Sequence, residues 1–357
     1  MSGQKIIVGL SGGVDSAVAA LLLQQQGYAV EALFMKNWDD DDDTDYCPAE
    51  EDLKDARSVA SQLDIPLHTV SFSAEYWDRV FAHFLAEYKA GRTPNPDILC
   101  NQEIKFKAFL NYALSLGADR IATGHYARIK QKNNEYNLLT GIDENKDQSY
   151  FLYRLNQNAL RHSLFPLGEI TKGKVRSIAE KAGFVNYAKK DSTGICFIGE
   201  RKFNDFLSRF LTVNPGNIQS LDGEIIGRHQ GLMFHTIGQR QGLGIGGIQS
   251  SSGEAWYVAD KNLQTNTLMV VQGGQHPALY KQSLQANDVH WIGTPATLPL
   301  HCSARVRYRQ SRQDCFVEAG DNYHLKVAFT QPQRAITPGQ AIVFYEDEIC
   351  LGGGTIL

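Results

Sequence analysis

Gly9-Leu10-Ser11-Gly12-Gly13-Val14-Asp15-Ser16 joins the apolar run Ile6-Ile7-Val8 to a helical pattern that begins at Val14. A strand that ends in small residues and passes at once into a helix is the opening unit of a parallel α/β sheet. The helix directs its unpaired N–H groups and the positive end of its dipole at the loop, so an anion of phosphate size fits there. Gly12 and Gly13 let backbone N–H groups approach phosphate oxygens, Ser11 and Ser16 add hydroxyls, and Asp15 is placed to help hold a magnesium ion. A tight turn before a helix is the plainer reading, but a bare turn needs neither paired glycines nor flanking serines.

The chain has 357 residues, enough for two or three domains, and 43% of them are hydrophobic against 21% charged. That balance describes a folded chain, not a disordered one. No apolar run is long enough to span a bilayer, and the start Met1-Ser2-Gly3-Gln4-Lys5 leads straight into a strand pattern, which points to the cytoplasm. Six cysteines, at positions 47, 100, 196, 302, 315 and 350, form no C-x-x-C pair, so neither a zinc site nor a disulfide framework is expected. A net charge of −4 argues against bulk affinity for nucleic acid and leaves room for a local basic stripe.

Strand and helix patterns alternate through the first half: strands at 5–10, 29–34, 67–72 and 120–123, helices at 14–26, 49–63, 76–90 and 105–116. This rhythm predicts a doubly wound parallel sheet whose ligands bind beyond the carboxyl ends of the strands. Ser11, Met35 and Gly124 each follow a strand and should converge there; Met35 is either an adenine contact or an ordinary core methionine. The acidic run Asp39 to Asp45 reads as a solvated loop. In Arg92-Thr93-Pro94-Asn95-Pro96-Asp97-Ile98-Leu99-Cys100-Asn101 two prolines stiffen the backbone and are expected to delay any helix until after Ile98. Cys100 is then either a thiol activated near a helix start or a buried structural cysteine. An irregular polar segment precedes Asp147-Gln148-Ser149, and Lys172, Lys174, Arg176 and Lys181 mark a helix at 172–182 whose basic face reads as solvated. Cys196 stands between Gly194 and Gly199 in a loop that suits close approach by another group.

A helix at 203–211 closes the first half, and a glycine-rich, β-rich texture follows. The expected organisation is a catalytic α/β domain at 1–203, a small central β-rich domain at 204–274 and a C-terminal β-barrel at 279–357. In Arg305-Val306-Arg307-Tyr308-Arg309 the period of two places Arg305, Arg307 and Arg309 on one strand face, a candidate RNA contact.

The loop lacks the P-loop lysine, and its form G-x-S-G-G-x-D-S resembles that of the ATP pyrophosphatases, which split ATP to AMP and pyrophosphate while adenylating an acceptor. Taken with Asn95-Pro96-Asp97, Cys100-Asn101, Ala122-Thr123-Gly124-His125-Tyr126, Asp147 to Leu152, Thr193 to Gly199 and Thr337-Pro338-Gly339-Gln340, the chain resembles the tRNA-specific 2-thiouridylases over essentially its whole length. The resemblance implies ATP with magnesium on Gly9, Leu10, Ser11, Gly12, Gly13, Val14, Asp15, Ser16, Met35 and Gly124. It implies that Cys196 carries sulfur as a persulfide, that Cys100 is the nucleophile that resolves it, and that Asp97 is a proton-transfer group. The tRNA contacts it implies are Asn95, Pro96, Asp97, His125, Asp147, Gln148, Ser149, Arg307, Tyr308, Arg309 and Gln340. The sulfur would come from a persulfide-carrying relay protein of the TusE type or from a cysteine desulfurase. Two other readings stay open on the residues alone: a pyrophosphatase-loop enzyme that admits ammonia or an amine, and a non-catalytic nucleotide or RNA-binding module.

Overall fold

The structure is a computed structural model that describes residues 3–38, 48–190, 203–245 and 253–357. Strand β1 (Lys5–Gly9) runs at the centre of a parallel sheet between β2 (Ala29–Lys36) and β4 (Arg120–Ala122), with β3 (Leu67–Ser71) and β7 (Ser163–Leu164) at the edges, in the order β3-β2-β1-β4-β7. Ile6, Ile7 and Val8 are all fully buried, as a strand covered on both faces requires. Ile6 and Val8 pack with helices α1 (Val14–Gln25) and α2 (Pro48–Leu63), while Ile7 packs with Phe81 and Phe109 on the opposite side. The expected doubly wound sheet is present, and its strand order reverses between β1 and β4, where such sheets open a crevice.

The polar segment before Asp147, read from sequence as irregular, contains a hairpin of β5 (Ala127–Lys132) and β6 (Glu135–Thr140). Its edge does not stay within the first domain: Leu138 and Leu139 of β6 pair with Cys350 and Ile349 of β17 (Ile349–Ile356). Unpaired edge groups are costly, and this edge is satisfied by the far end of the chain.

In the central domain, β8 (Gly216–Ser220) and β9 (Ile225–His229) form a hairpin around the expected Asp222-Gly223 turn. Strands β10 (Trp256–Asn262) and β11 (Thr267–Gln272) complete a sheet ordered β10-β11-β8-β9 over a core of Ile218, Val258, Leu268 and Val270. The C-terminal domain is built from β12 (Tyr280–Trp291), β13 (Leu300–Arg305), β14 (Gln313–Ala319), β15 (Leu325–Arg334), β16 (Ala341–Glu346) and β17. Pairing of β12 with both β15 and β17 closes these six strands into the expected barrel.

Two local expectations are corrected. A helix begins at Pro96, not after Ile98, because proline at the first helical position gives up an N–H that would have no partner and presets its own φ. Asn95 caps that helix, its Oδ1 accepting from the Asp97 N–H at 3.2 Å. Strand β13 ends at Arg305, so Arg305, Arg307 and Arg309 do not share a strand face. Arg305 turns inward to a buried carboxylate, and the chain then turns, with Gln310 N–H donating to the Arg307 carbonyl and Arg309 at φ +64°.

Candidate active site

The Gly9 to Ser16 loop, the candidate phosphate loop, is held from four sides. Gly12 lies at φ +78°, and a Cβ there would sit 2.4 Å from the Asp52 carbonyl oxygen. Its own carbonyl accepts from buried Asn186 Nδ2 at 2.9 Å. Gly124, one residue past Thr123, rests against the start of α1 so closely that a Cβ would come within 2.8 Å of Asp15 C and Ser16 N. Across Gly9 lies the Met35 methyl group, 3.4 Å from where a Cβ would be. The predicted convergence of Ser11, Met35 and Gly124 is therefore present, with Met35 against Gly9 and Gly124 against Asp15 and Ser16. Leu10 and Val14 are core residues at its base, and Ser11 is exposed.

The two serines differ in what they offer. Ser16 Oγ accepts from Ser11 N–H and donates to the Gly13 carbonyl, both at 3.1 Å, so this hydroxyl closes the loop on itself. Gly13 caps α1 without a side chain, which leaves the first-turn N–H groups as anion donors. Gly12→Ala is expected to cost about 1–3 kcal/mol, through the left-handed φ and the overlap with Asp52. Thermal unfolding and nucleotide titration check this together; wild-type values in both would contradict it.

Asp15 does not present a free carboxylate. Lys172 Nζ contacts both of its oxygens, at 2.7 and 2.8 Å, and Tyr126 OH donates to Oδ1 at 2.7 Å. As the loop stands, a magnesium ion on Asp15 would have to displace Lys172, so the arrangement does not fit a metal held by Asp15 alone. Among the described residues no group of three or more His, Cys, Asp or Glu is placed to hold a metal. Sequence reading assigned Lys172 to a solvated basic face; instead it is 8% exposed and points inward. Lys172 lies on the buried stripe of that helix with Val175 and Ala179, at the i, i+3, i+7 spacing of one helix face, while Lys174 and Lys181 are exposed; that period was the signal in the sequence.

Beside the loop lies the helix that carries the candidate nucleophile. Cys100 is buried in the second turn after Asn95, within a core that includes Ile98, Ile104 and Phe106. Its neighbour Asn101 is buried and donates to the Phe151 carbonyl at 3.1 Å. Burial raises the Asp97 carboxyl above its ordinary range, and the positive charge of Lys105 offsets part of that rise. Burial likewise holds His125 well below the usual imidazole range, with Lys105 adding to the effect. His125 is thus neutral, wedged between the rings of Phe106 and Phe165, with Nδ1 2.7 Å from Thr123 Oγ1. The chain that follows Cys100 reaches the loop directly: Phe106 packs on the His125 ring at 5.6 Å, and Phe109 lies 3.2 Å from where a Cβ on Gly9 would be. Phe106 was missed as a neighbour of the loop because only the fold brings it to His125.

The raised Asp97 carboxyl has a consequence for stability. A carboxyl whose folded value lies above its unfolded one binds its proton more tightly in the folded chain, so it lowers stability as pH rises through that range. Asp97→Asn is expected to raise the melting temperature at neutral pH and to flatten the decline of stability above pH 4. A neutral-pH melting temperature below that of the parent would count against this.

The other candidate RNA contacts line the seam between domains. Asp147 and Ser149 are fully enclosed, and Asp147 accepts from Gly141 N–H, Ser149 N–H, Ser149 Oγ and Arg305. Gln148 brackets Tyr126, accepting its N–H at 3.0 Å and donating its own N–H to the Tyr126 carbonyl at 2.8 Å. Arg307 donates to the carbonyls of Ile237 and Ala335 and to Thr337 Oγ1, joining the central domain to the barrel. Gln340 Nε2 donates to the Thr93 carbonyl at 2.8 Å, at the root of the Asn95 turn. Tyr308 packs on Phe151 with ring centroids 4.4 Å apart, and Arg309 is exposed. Asp39 to Asp45 and the loop bearing Cys196 lie outside the described residues.

Family comparison fits this three-part layout. A model described as the tRNA methyl transferase HUP domain matches residues 4–200, one described as the tRNA methyl transferase PRC-barrel domain matches 204–272, and an aminomethyltransferase beta-barrel domain matches 281–356. A tRNA-specific 2-thiouridylase MnmA from Ruthia magnifica is 62% identical over 352 residues, covering 99% of this chain and 97% of that protein. The chain belongs to the tRNA-specific 2-thiouridylase family. Relatives of the same name from Stutzerimonas stutzeri, at 60% over 354 residues, and from a Marinomonas species, at 59% over 354 residues, cover 99% of this chain. They are covered over 94% and 91% of their own lengths, so the family assignment holds for all three domains.

Proposed function

We propose that this 2-thiouridylase family member uses ATP to replace O2 of a tRNA wobble uridine with sulfur. The observation that supports the reading is the packing of the segment that follows Cys100 against the Gly9 to Ser16 loop, through Phe109 on Gly9 and Phe106 on His125. A carbonyl oxygen is a poor leaving group, and adenylation makes it a good one. Uridine O2 attacks the α-phosphorus, the bond to the β-phosphate oxygen breaks, and pyrophosphate departs. The terminal sulfur of a Cys196 persulfide then attacks C2 and AMP leaves. Cys100 thiolate attacks Cys196 Sγ, the sulfur–sulfur bond breaks toward the base, and a Cys100–Cys196 disulfide remains for a dithiol to reduce. Asp97 moves the proton, and a flipped base is required because C2 is inaccessible in a stacked loop. Magnesium would travel with the nucleotide's own phosphates. A relay protein or cysteine desulfurase bearing a persulfide would recharge Cys196.

The test is mass analysis of tRNA nucleosides after incubation with ATP, magnesium, a small-molecule persulfide as sulfur donor and a dithiol. Replacement of oxygen by sulfur on uridine, with AMP as co-product, is the expected result. A methyl increment in its place, or ADP as the product, would overturn the reading.

A further inference from the structure

We infer that Lys172 is a nucleotide-binding residue that exchanges partners: it neutralises Asp15 in the free enzyme and turns to the terminal phosphates of ATP when the nucleotide binds. The inference rests on the ATP reading above and assigns a residue that reading does not use. Departure of pyrophosphate concentrates negative charge at the start of α1, and Gly9 to Ser16 contributes no cation there. Lys172 brings one, 157 residues away in sequence, onto the second residue of that helix. Its backbone is fixed: its N–H donates to Asp143 Oδ2 at 2.9 Å, and Thr171 caps its helix. The four-carbon stem leaves the ammonium free to turn on that fixed base.

A single carboxylate is the weaker competitor for an ammonium group once a triphosphate of higher charge arrives. Asp15 keeps its place when Lys172 leaves, because Tyr126 OH still donates to Oδ1. AMP lacks the terminal phosphates, so with AMP bound Lys172 stays on Asp15. Lys172 therefore discriminates ATP from AMP, and its return to Asp15 follows pyrophosphate release.

Calorimetric titration of the full chain with ATP and with AMP, in magnesium and without tRNA or sulfur, tests this. Lys172→Met is expected to weaken ATP binding at least ~10-fold and AMP binding less than about threefold. Lys172→Gln, which keeps a donor for Asp15, should show the same selective loss and carries the test if the methionine variant does not fold. Asp15→Asn separates exchange from simple bracing. In that variant the ratio of ATP to AMP affinity is read: a ratio above that of the parent supports exchange, because Lys172 no longer has a carboxylate to leave, and a ratio lowered as far as in Lys172→Met overturns it. Equal loss of ATP and AMP in the Lys172 variants, or no loss, overturns the inference while the nucleotide reading stands. Failure of the wild-type chain to bind ATP would overturn both.

Discussion

Cys100→Ser and Cys196→Ser are each expected to lower 2-thiouridine formation at least ~10³-fold, the scale on which loss of a covalent nucleophile acts. The two steps of the proposed reaction should then come apart. Adenylation uses the loop at Gly9 to Ser16 and no thiol, so exchange of labelled pyrophosphate into ATP in the presence of tRNA should persist in Cys100→Ser within about threefold of the parent. Cys302→Ser is the control: Cys302 is a barrel-core residue facing Cys315 across β13 and β14, with sulfurs 3.8 Å apart, and its loss should leave thiolation in place. Thiolation near the parental rate in either Cys100→Ser or Cys196→Ser would sink the sulfur-relay mechanism, leaving the adenylating loop to serve some other acceptor. The burial of Cys100 adds a constraint: a thiol that is 3% exposed must be uncovered before another sulfur can reach it.

The largest expected effect on stability comes from the seam. Arg305 Nη1 lies 2.6 Å from Asp147 Oδ2, with side-chain exposures of 10% and 1%. Burial alone would lower the Arg305 guanidinium, but Tyr345 and Asp147 outweigh it and hold it above its ordinary value. Arg305→Met would leave Asp147 as a buried carboxylate without its counter-charge, at a cost of about 3–5 kcal/mol. That is a large part of the stability of an ordinary domain. Removing both charges together, as Arg305→Met with Asp147→Leu, should cost less than the single change, because no unpaired charge remains. Denaturant titration of the two variants checks this, and a double variant no more stable than Arg305→Met would contradict it. Damage should also reach the phosphate loop. Asp147 leads into Gln148, Gln148 grips Tyr126, and Tyr126 holds Asp15. Arg305→Met is thus expected to weaken ATP binding from a position in the barrel.

Much of the architecture was legible in the residues. Ile6-Ile7-Val8 reads as a strand covered on both faces, Gly12 and Gly13 as a loop open to an anion, and Asp222-Gly223 as a hairpin turn, because each depends on local sterics and local periodicity. Met35 and Gly124 could be placed near the loop because strand ends in a parallel sheet point to one side. The helix at Pro96 was legible in principle, since Asn95 followed by Pro96 is a capping signal, but the paired prolines read more strongly as a break.

What lay beyond the residues was partnership across long separations. Whether 127–140 is irregular or a hairpin depends on β17 arriving to pair with its edge. Whether Arg305 faces solvent or a carboxylate depends on Asp147, 158 residues earlier. The same holds for the partner of Lys172: its place on the buried stripe with Val175 and Ala179 follows the helical period, but that it meets Asp15 there, 157 residues earlier, does not. By itself the amino-acid order determined that the first strand ends in a loop open to an anion and that the chain carries the motifs of a thiouridylase. Only the tertiary structure decided that the loop's acid is already paired, and that the barrel is tied into the site, because burial and counter-charge are set by which distant segments pack together.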